Sequence, residues 1–265
     1  MALVDVHYSD GIATVTMNDP PTRNAISVPM REEMAGLFQN FEADPEVRCV
    51  VLRGAGDHFM SGGDVKTFAG YVREYTKPQL QAGFRQRIAT LNPLLTAMRR
   101  LPKPILASVQ GGAVGAGTGL AMACDLVIAA ENAFFVMAYR NIGTSPDGSS
   151  SFSLPRAIGM KKAMEMVLLG GRLTAGEALD LGMINFVVPA DQLAEETTRI
   201  ARRLASGPTV ALGNAKQLLY RSLENDFHAQ LDLEGEMFAR SAMTDDFKEG
   251  VTAFVEKRRA EFQGK

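Results

Sequence analysis

Two glycine-rich segments carry the residues best placed to do chemistry. One is Phe59-Met60-Ser61-Gly62-Gly63-Asp64, and the other is Gly111-Gly112-Ala113-Val114-Gly115-Ala116-Gly117. Each follows a short apolar run of the kind that makes a buried parallel strand, Arg48 to Arg53 and Pro104 to Val109. Glycine reaches positive φ and lets another group approach the main chain closely. A free N–H in the first turn of a helix carries the positive end of the helix dipole. Two such N–H groups aimed at one point would hold an oxyanion. The same glycines suit tight turns and close helix–strand packing, and the pattern alone favours neither use.

Other chemistries lack their residues. His7, His58 and His228 stand apart without metal-ligand spacing, so no metal site is expected. No Walker-type phosphate loop and no GxSxG nucleophile elbow occur. Gly115-Ala116-Gly117-Thr118-Gly119 is GxGxG rather than the GxGxxG of a dinucleotide site. Cys49 and Cys124 sit in apolar runs and read as small buried hydrophobes of a reducing compartment, not as a disulfide framework.

The elements that must position these loops follow from periodicity. Residues 3–8 and 11–17 alternate in the strand manner around Asp10-Gly11, a hairpin signal. Over 30–42, Met30, Met34, Leu37, Phe38 and Phe41 form a helical stripe. Residues 79–101 read as one long helix that Pro93 should kink or interrupt. A further helix covers 120–124 and a further strand 125–130. Thr174 with Glu177 is a capping box opening a short helix that stops at Gly182. Beyond about residue 190 the strands cease, and helical patterns cover 190–205, 208–221, 227–240 and 245–260. Alternation of strands and helices implies right-handed crossovers and a mostly parallel sheet, an α/β fold.

Composition narrows the partners. The 265 residues are 46% hydrophobic, enough for a large core without disulfide or metal staples. Lys+Arg 28 against Asp+Glu 30 gives a net charge of −2, and no basic patch stands out, so nucleic acid is not expected as a partner. The N-terminus lacks the basic and apolar regions of a signal peptide. The longest near-apolar stretch, 104–130, contains Gln110, Asp125 and five glycines within 111–119, which does not suit a membrane span. A cytoplasmic location and no membrane partner are expected.

Taken in order, the motifs resemble the crotonase superfamily, the enoyl-CoA hydratases and isomerases, from about residue 11 to residue 261. The resemblance is carried by Arg23-Asn24-Ala25-Ile26, by Phe59 to Lys66, by Pro102-Lys103-Pro104 and by the segment 111–117. It continues through Ala123-Cys124-Asp125, Ile142-Gly143, Leu154-Pro155-Arg156, Gly171 to Ala178, Gly182 and Phe247 to Lys257. Each block is weak alone; their order and spacing are specific. The resemblance implies a crotonase-like ββα spiral core over residues 1–190, binding acyl-CoA, and a C-terminal helical trimerisation region over 191–265. It implies that the N–H groups of Gly63 and Ala116 bind the thioester oxygen. Arg23, Ala25, Ser61, Gly62, Asp64 and Lys66 fall where the family holds coenzyme A. Phe254 and Lys257 match residues that reach the coenzyme from a neighbouring subunit, which implies a homotrimer or a dimer of trimers. No permanently bound cofactor is implied; coenzyme A enters as part of the substrate.

The resemblance also poses a question. Hydratases of the family use two glutamates, and their positions fall here on Gly119 and Tyr139. Neither is a carboxylate. Asp147, in Gly143-Thr144-Ser145-Pro146-Asp147-Gly148-Ser149, instead falls where the similar Δ3,Δ2-enoyl-CoA isomerases place a single catalytic acid. The 1,2-epoxyphenylacetyl-CoA isomerases carry an aspartate at a comparable place. A plainer role for Asp147 is to cap a helix beginning near Ser149. Tyr139 and Ser145 are expected to line the acyl pocket. The expected activity is therefore enoyl-CoA isomerisation by a single Asp base. A hydratase of the same fold and a non-catalytic acyl-CoA-binding homologue are the alternatives.

Overall fold

The computed structural model describes residues 2–265. Its strands, in chain order, are β1 (Val4–Ser9), β2 (Ile12–Met17), β3 (Cys49–Gly54), β4 (Ile105–Val109), β5 (Gly112–Val114), β6 (Leu126–Ala130), β7 (Phe134–Val136), β8 (Arg172–Thr174) and β9 (Phe186–Val188). One sheet has the order β1-β2-β3-β4-β6-β9, and a small second sheet has the order β5-β7-β8. β1 and β2 are antiparallel across Asp10-Gly11, where φ of 53° and 75° suits the twist of a two-residue hairpin turn. From β2 onward every ladder of the large sheet is parallel, as the alternation predicts.

β3 and β4 are buried on both faces, so they read as continuous apolar runs. One face is covered by α1 (Val28–Ala43), whose stripe Met30, Met34, Phe38 and Phe41 lies in the core. Each such side chain stabilises the fold by about 1.5–3 kcal/mol. Two helices follow, α2 (Val65–Glu74) and α3 (Lys77–Ala89), and then α4 (Asn92–Arg100). The single helix expected over 79–101 is thus two, broken at Thr90-Leu91, with Pro93 in the first turn of the second. Proline lacks the N–H a continuing helix would need, and that first turn is where it is tolerated.

The chain then forms α5 (Ala116–Ala123), α6 (Ser150–Leu169) and α7 (Ala175–Asp180), which opens with the Thr174–Glu177 capping box. α6 bends at Gly159, which has φ 75°. α8 (Leu193–Ala205) packs on β3, β4 and β6. α9 (Thr209–Arg221) is clipped to the sheet by a buried ion pair, Lys216 Nζ to Asp125 Oδ2 at 2.9 Å. α10 (Phe227–Ala242) and α11 (Asp245–Glu256) end the chain. Their residues Phe238 and Phe254 stand exposed. Among the described residues, no helix is long and apolar enough to cross a membrane.

Candidate active site

The two glycine-rich segments meet because β3 and β4 are neighbours and deliver them to the same edge of the sheet. Residues 59–60 run beside the start of β5: Met60 N–H donates to Gly112 O at 3.1 Å and Val114 N–H to Met60 O at 2.9 Å. A third segment braces them. Asn24 is fully buried, in the left-handed region at φ 57°, and its amide donates to Ala55 O and His58 O, both at 2.9 Å. Ser61 N–H donates to Arg23 O at 2.9 Å, and Ile26 N–H to Gly62 O at 2.8 Å.

At Gly62 no other residue fits. Its φ is +92°, and a Cβ there would lie 2.7 Å from Val114 O and 3.6 Å from Ala116 N. This close approach brings the N–H groups of Gly63 and Ala116 to one cleft. Among the described residues neither donates to any group of the chain, whereas the preceding Gly115 N–H is taken by Val136 O at 2.7 Å. Ala116 begins α5, so its N–H is one of the donors a helix leaves free. Of the two uses open to these glycines, tight packing and two free donors both occur, and the first produces the second.

The cleft has a volume of about 770 Å³. Its opposite wall carries Tyr139, Ser145 and Asp147. Tyr139 Oη donates to Asp147 Oδ1 at 2.8 Å and lies 3.2 Å from Ser150 Oγ. Burial, and after it the charge of Asp147, pushes the Tyr139 phenol above its ordinary value. The phenol is therefore protonated at neutral pH and acts as a donor. The Asp147 carboxylate does not cap α6. Ser149 occupies the cap position with φ 64°, and Ser150 N–H goes to the backbone oxygen of Asp147 at 3.1 Å. Position 119 is closed: a Cβ on Gly119 would lie 2.5 Å from Gly148 O and 2.6 Å from Ser150 Oγ.

The apolar lining comes from α2 and α3. Val65, Phe68, Ala69 and Val72 repeat at helical spacing along α2, and Phe84 and Ile88 face them from α3. Phe68 and Phe84 meet edge to face, with ring centroids 5.0 Å apart. None of the elements expected from periodicity covers 65–74. The i, i+3, i+4, i+7 spacing of those four residues is the signal that would have found it.

The remaining expected site residues fall as follows. Ser61, Gly62, Gly63, Ala116 and Asp147 line the cleft. Arg23 and Lys66 are exposed, and Ala25 is buried in the bracing segment. Asp64 caps α2, its carboxylate accepting from the Thr67 N–H at 3.2 Å and from the Thr67 hydroxyl. Phe254, 85% exposed on α11, lines a separate hollow with Phe247 and Val251. Lys257 ends that helix in the left-handed conformation at φ 56°. Within one chain, Phe254 and Lys257 do not line the cleft.

Comparison with known proteins agrees with this geometry. The model of one protein family, enoyl-CoA hydratase/isomerase, matches residues 7–265. The chain is 37% identical over 265 residues, all of both chains, to the 1,2-epoxyphenylacetyl-CoA isomerase of Escherichia coli. It is 34% identical over 260 residues to the trans-2-decenoyl-(acyl-carrier-protein) isomerase of Streptococcus mutans, covering 98% of this chain and 97% of that one. Among solved structures, an enoyl-CoA hydratase from Polaromonas superposes with a TM-score of 0.91 at 34% identity, covering 98% of this chain and 99% of that one.

Proposed function

The chain belongs to the enoyl-CoA hydratase/isomerase family, and from that premise we propose that it is an enoyl-CoA isomerase whose single base is Asp147. The observation that carries this reading is the closure of position 119 by Gly148 O and Ser150 Oγ. It leaves no room for the first hydratase glutamate, and Tyr139 stands in place of the second. Among the described residues lining the cleft, Asp147 alone is acidic.

A proton α to a thioester is weakly acidic, so its removal requires the enolate to be stabilised. The N–H groups of Gly63 and Ala116 would donate to the thioester oxygen as negative charge grows on it. One such donor is typically worth about 2.7–4 kcal/mol in the transition state. Asp147 removes the α-proton of a 3-enoyl thioester and returns it to the γ-carbon, so the double bond moves into conjugation and no water is consumed. Tyr139 holds Oδ1 of the carboxylate and leaves Oδ2 for the proton.

Arg23, whose backbone oxygen holds the cleft residue Ser61, and Lys66, next in sequence to the cleft residue Val65, are exposed and suit the phosphates of coenzyme A. Ala25, Ser61 and Gly62 supply main chain for the nucleotide, while Asp64 contributes by fixing the start of α2. The exposed apolar residues of α10 and α11 support a homotrimer or a dimer of trimers, with Phe254 and Lys257 completing a neighbour's coenzyme site. The ring-bearing substrate named for the E. coli relative and the Phe68–Phe84 wall both favour a ring-bearing acyl group.

The deciding assay gives the protein a 3-enoyl-CoA and a 2-enoyl-CoA. Conjugated thioester from the first, abolished in Asp147→Asn, is the expected result. A 3-hydroxyacyl-CoA from the second, with no double-bond shift, would establish a hydratase instead. Binding of both without turnover or α-deuterium exchange would leave a non-catalytic homologue.

A further inference from the structure

Gly112 opens β5, and the two sides of that strand meet different neighbours. β7 lies on one side, where Phe134 N–H donates to Gly111 O at 2.9 Å. The segment 58–60 lies on the other, joined through the parallel pair Met60 and Ala113. In a regular parallel ladder of that register, Gly112 N–H would donate to the main-chain oxygen of His58. The Asn24 amide takes that oxygen at 2.9 Å. The imidazole replaces it: Gly112 N–H donates to His58 Nδ1 at 3.0 Å. A main-chain N–H has nothing to accept with, so Nδ1 carries no proton and the neutral ring holds its proton on Nε2.

The paired glycines make room for that ring. A Cβ on Gly111 would overlap Asp57 O and lie 2.8 Å from His58 Nδ1, and one on Gly112 would lie 3.3 Å from the same nitrogen. The start of the second glycine-rich segment is thus fitted to a side chain that precedes the first. From His58 the contacts run to the oxyanion donors without a gap. Phe59 N–H donates to Gln110 O at 2.9 Å, Met60 N–H to Gly112 O at 3.1 Å and Val114 N–H to Met60 O at 2.9 Å. Gly62 then packs on Val114 O, with Gly63 next to it and Ala116 two residues beyond Val114. Three of these rungs join main chain to main chain and survive any substitution that keeps the fold. The His58 rung depends on one side chain.

We propose that His58 is a positioning residue for the oxyanion hole: its neutral imidazole fixes the register of segment 58–63 against 112–116, and with it the spacing of the Gly63 and Ala116 N–H groups. The inference rests on the reading of those two groups as donors to a thioester oxygen. Removing the ring leaves the buried Gly112 N–H without an acceptor, and the segments must shift for it to find another. Such donors act over a narrow range of distance, so a small shift of one of them weakens the hole. His58 does not line the cleft, so its loss should reduce polarisation of the bound thioester and turnover while sparing binding.

The test compares His58→Ala, His58→Asn and His58→Gln with the parent. Asn can place an amide oxygen where Nδ1 stood, whereas Gln places its oxygen nearer the Nε2 position, out of line with Gly112. The first readout is the carbonyl stretch of a bound saturated acyl-CoA, labelled with ¹³C at the thioester, which falls in frequency as the oxygen accepts hydrogen bonds. It reports on the hole without turnover. The second is 3-enoyl-CoA isomerisation, with melting temperatures alongside. The parent should lower the stretch on binding. His58→Ala and His58→Gln should lose half or more of that lowering, and about tenfold in kcat with KM within about twofold. His58→Asn should keep most of the lowering and stay within about threefold of the parental kcat.

A folded His58→Ala with the parental stretch and kcat overturns the inference, and so does His58→Asn no better than His58→Gln. If His58→Ala does not fold, the Asn and Gln pair decides in the same way. A parent that leaves the stretch of the bound thioester unmoved would remove the hole and, with it, the role of His58. A lowering present in the parent and equal in every variant would remove His58 alone.

Discussion

Gly63 and Ala116 offer main-chain N–H groups placed by two strand ends and by a glycine at 62, while the facing wall offers the side chains of Tyr139, Asp147 and Ser150. The first wall is made by main-chain atoms and depends on side-chain identity only where a glycine is required, as at 62. The second is held by hydrogen bonds among a few side chains, so its chemistry can change while the fold persists. Relatives of this chain include a hydratase and isomerases, and the hydratase shares its architecture. On the proposed reading, electrostatic stabilisation would come from the backbone wall and the choice of reaction from the short loop that carries Asp147.

That contrast can be broken most sharply at Asp147. Asp147→Asn keeps the shape of the loop and removes the proposed base. Isomerase kcat should fall by about 10²–10⁴, with the melting temperature nearly unchanged. The corresponding change on the backbone wall is Gly62→Ala. Its methyl would press on Val114 O at 2.7 Å in a left-handed conformation. We expect about a 10²–10³-fold loss of kcat as the donors shift, together with lower stability on thermal melting. A smaller effect is expected from Tyr139→Phe, which deletes the donor to Asp147. A hydrogen bond to a charged group is worth about 1.5–3 kcal/mol, so kcat should drop roughly 10- to 100-fold and KM little. Lys66→Ala should do least, raising KM for acyl-CoA by about two- to fivefold, since an exposed charge contributes at most about 1 kcal/mol. A Tyr139→Phe enzyme as fast as the parent would mean that Asp147 needs no side-chain support, and the contrast between the two walls would lose its basis.

Much of the backbone wall was legible in the sequence. The apolar runs ending at Arg53 and Val109, the glycines after them and the Asp10-Gly11 hairpin are local signals that tertiary packing reinforces. The cleft's apolar lining was harder to see. In α2 the stripe Val65, Phe68, Ala69, Val72 is interrupted by Gly70 and polar residues, and it faces a cavity instead of the core. β5, β7 and β8 are three residues each, too short for a period to show.

The contact between Gly119 and the 148–150 turn also bears on how such enzymes can diverge. A glutamate introduced at 119 by a single substitution would collide with Gly148 O before it could reach any substrate. The turn would have to retreat first, and because Asp147 adjoins it, the carboxylate and its bond to Tyr139 would shift as well. Position 119 and the 148–150 turn are therefore sterically interlocked: a larger side chain at 119 and the present path of the turn exclude each other.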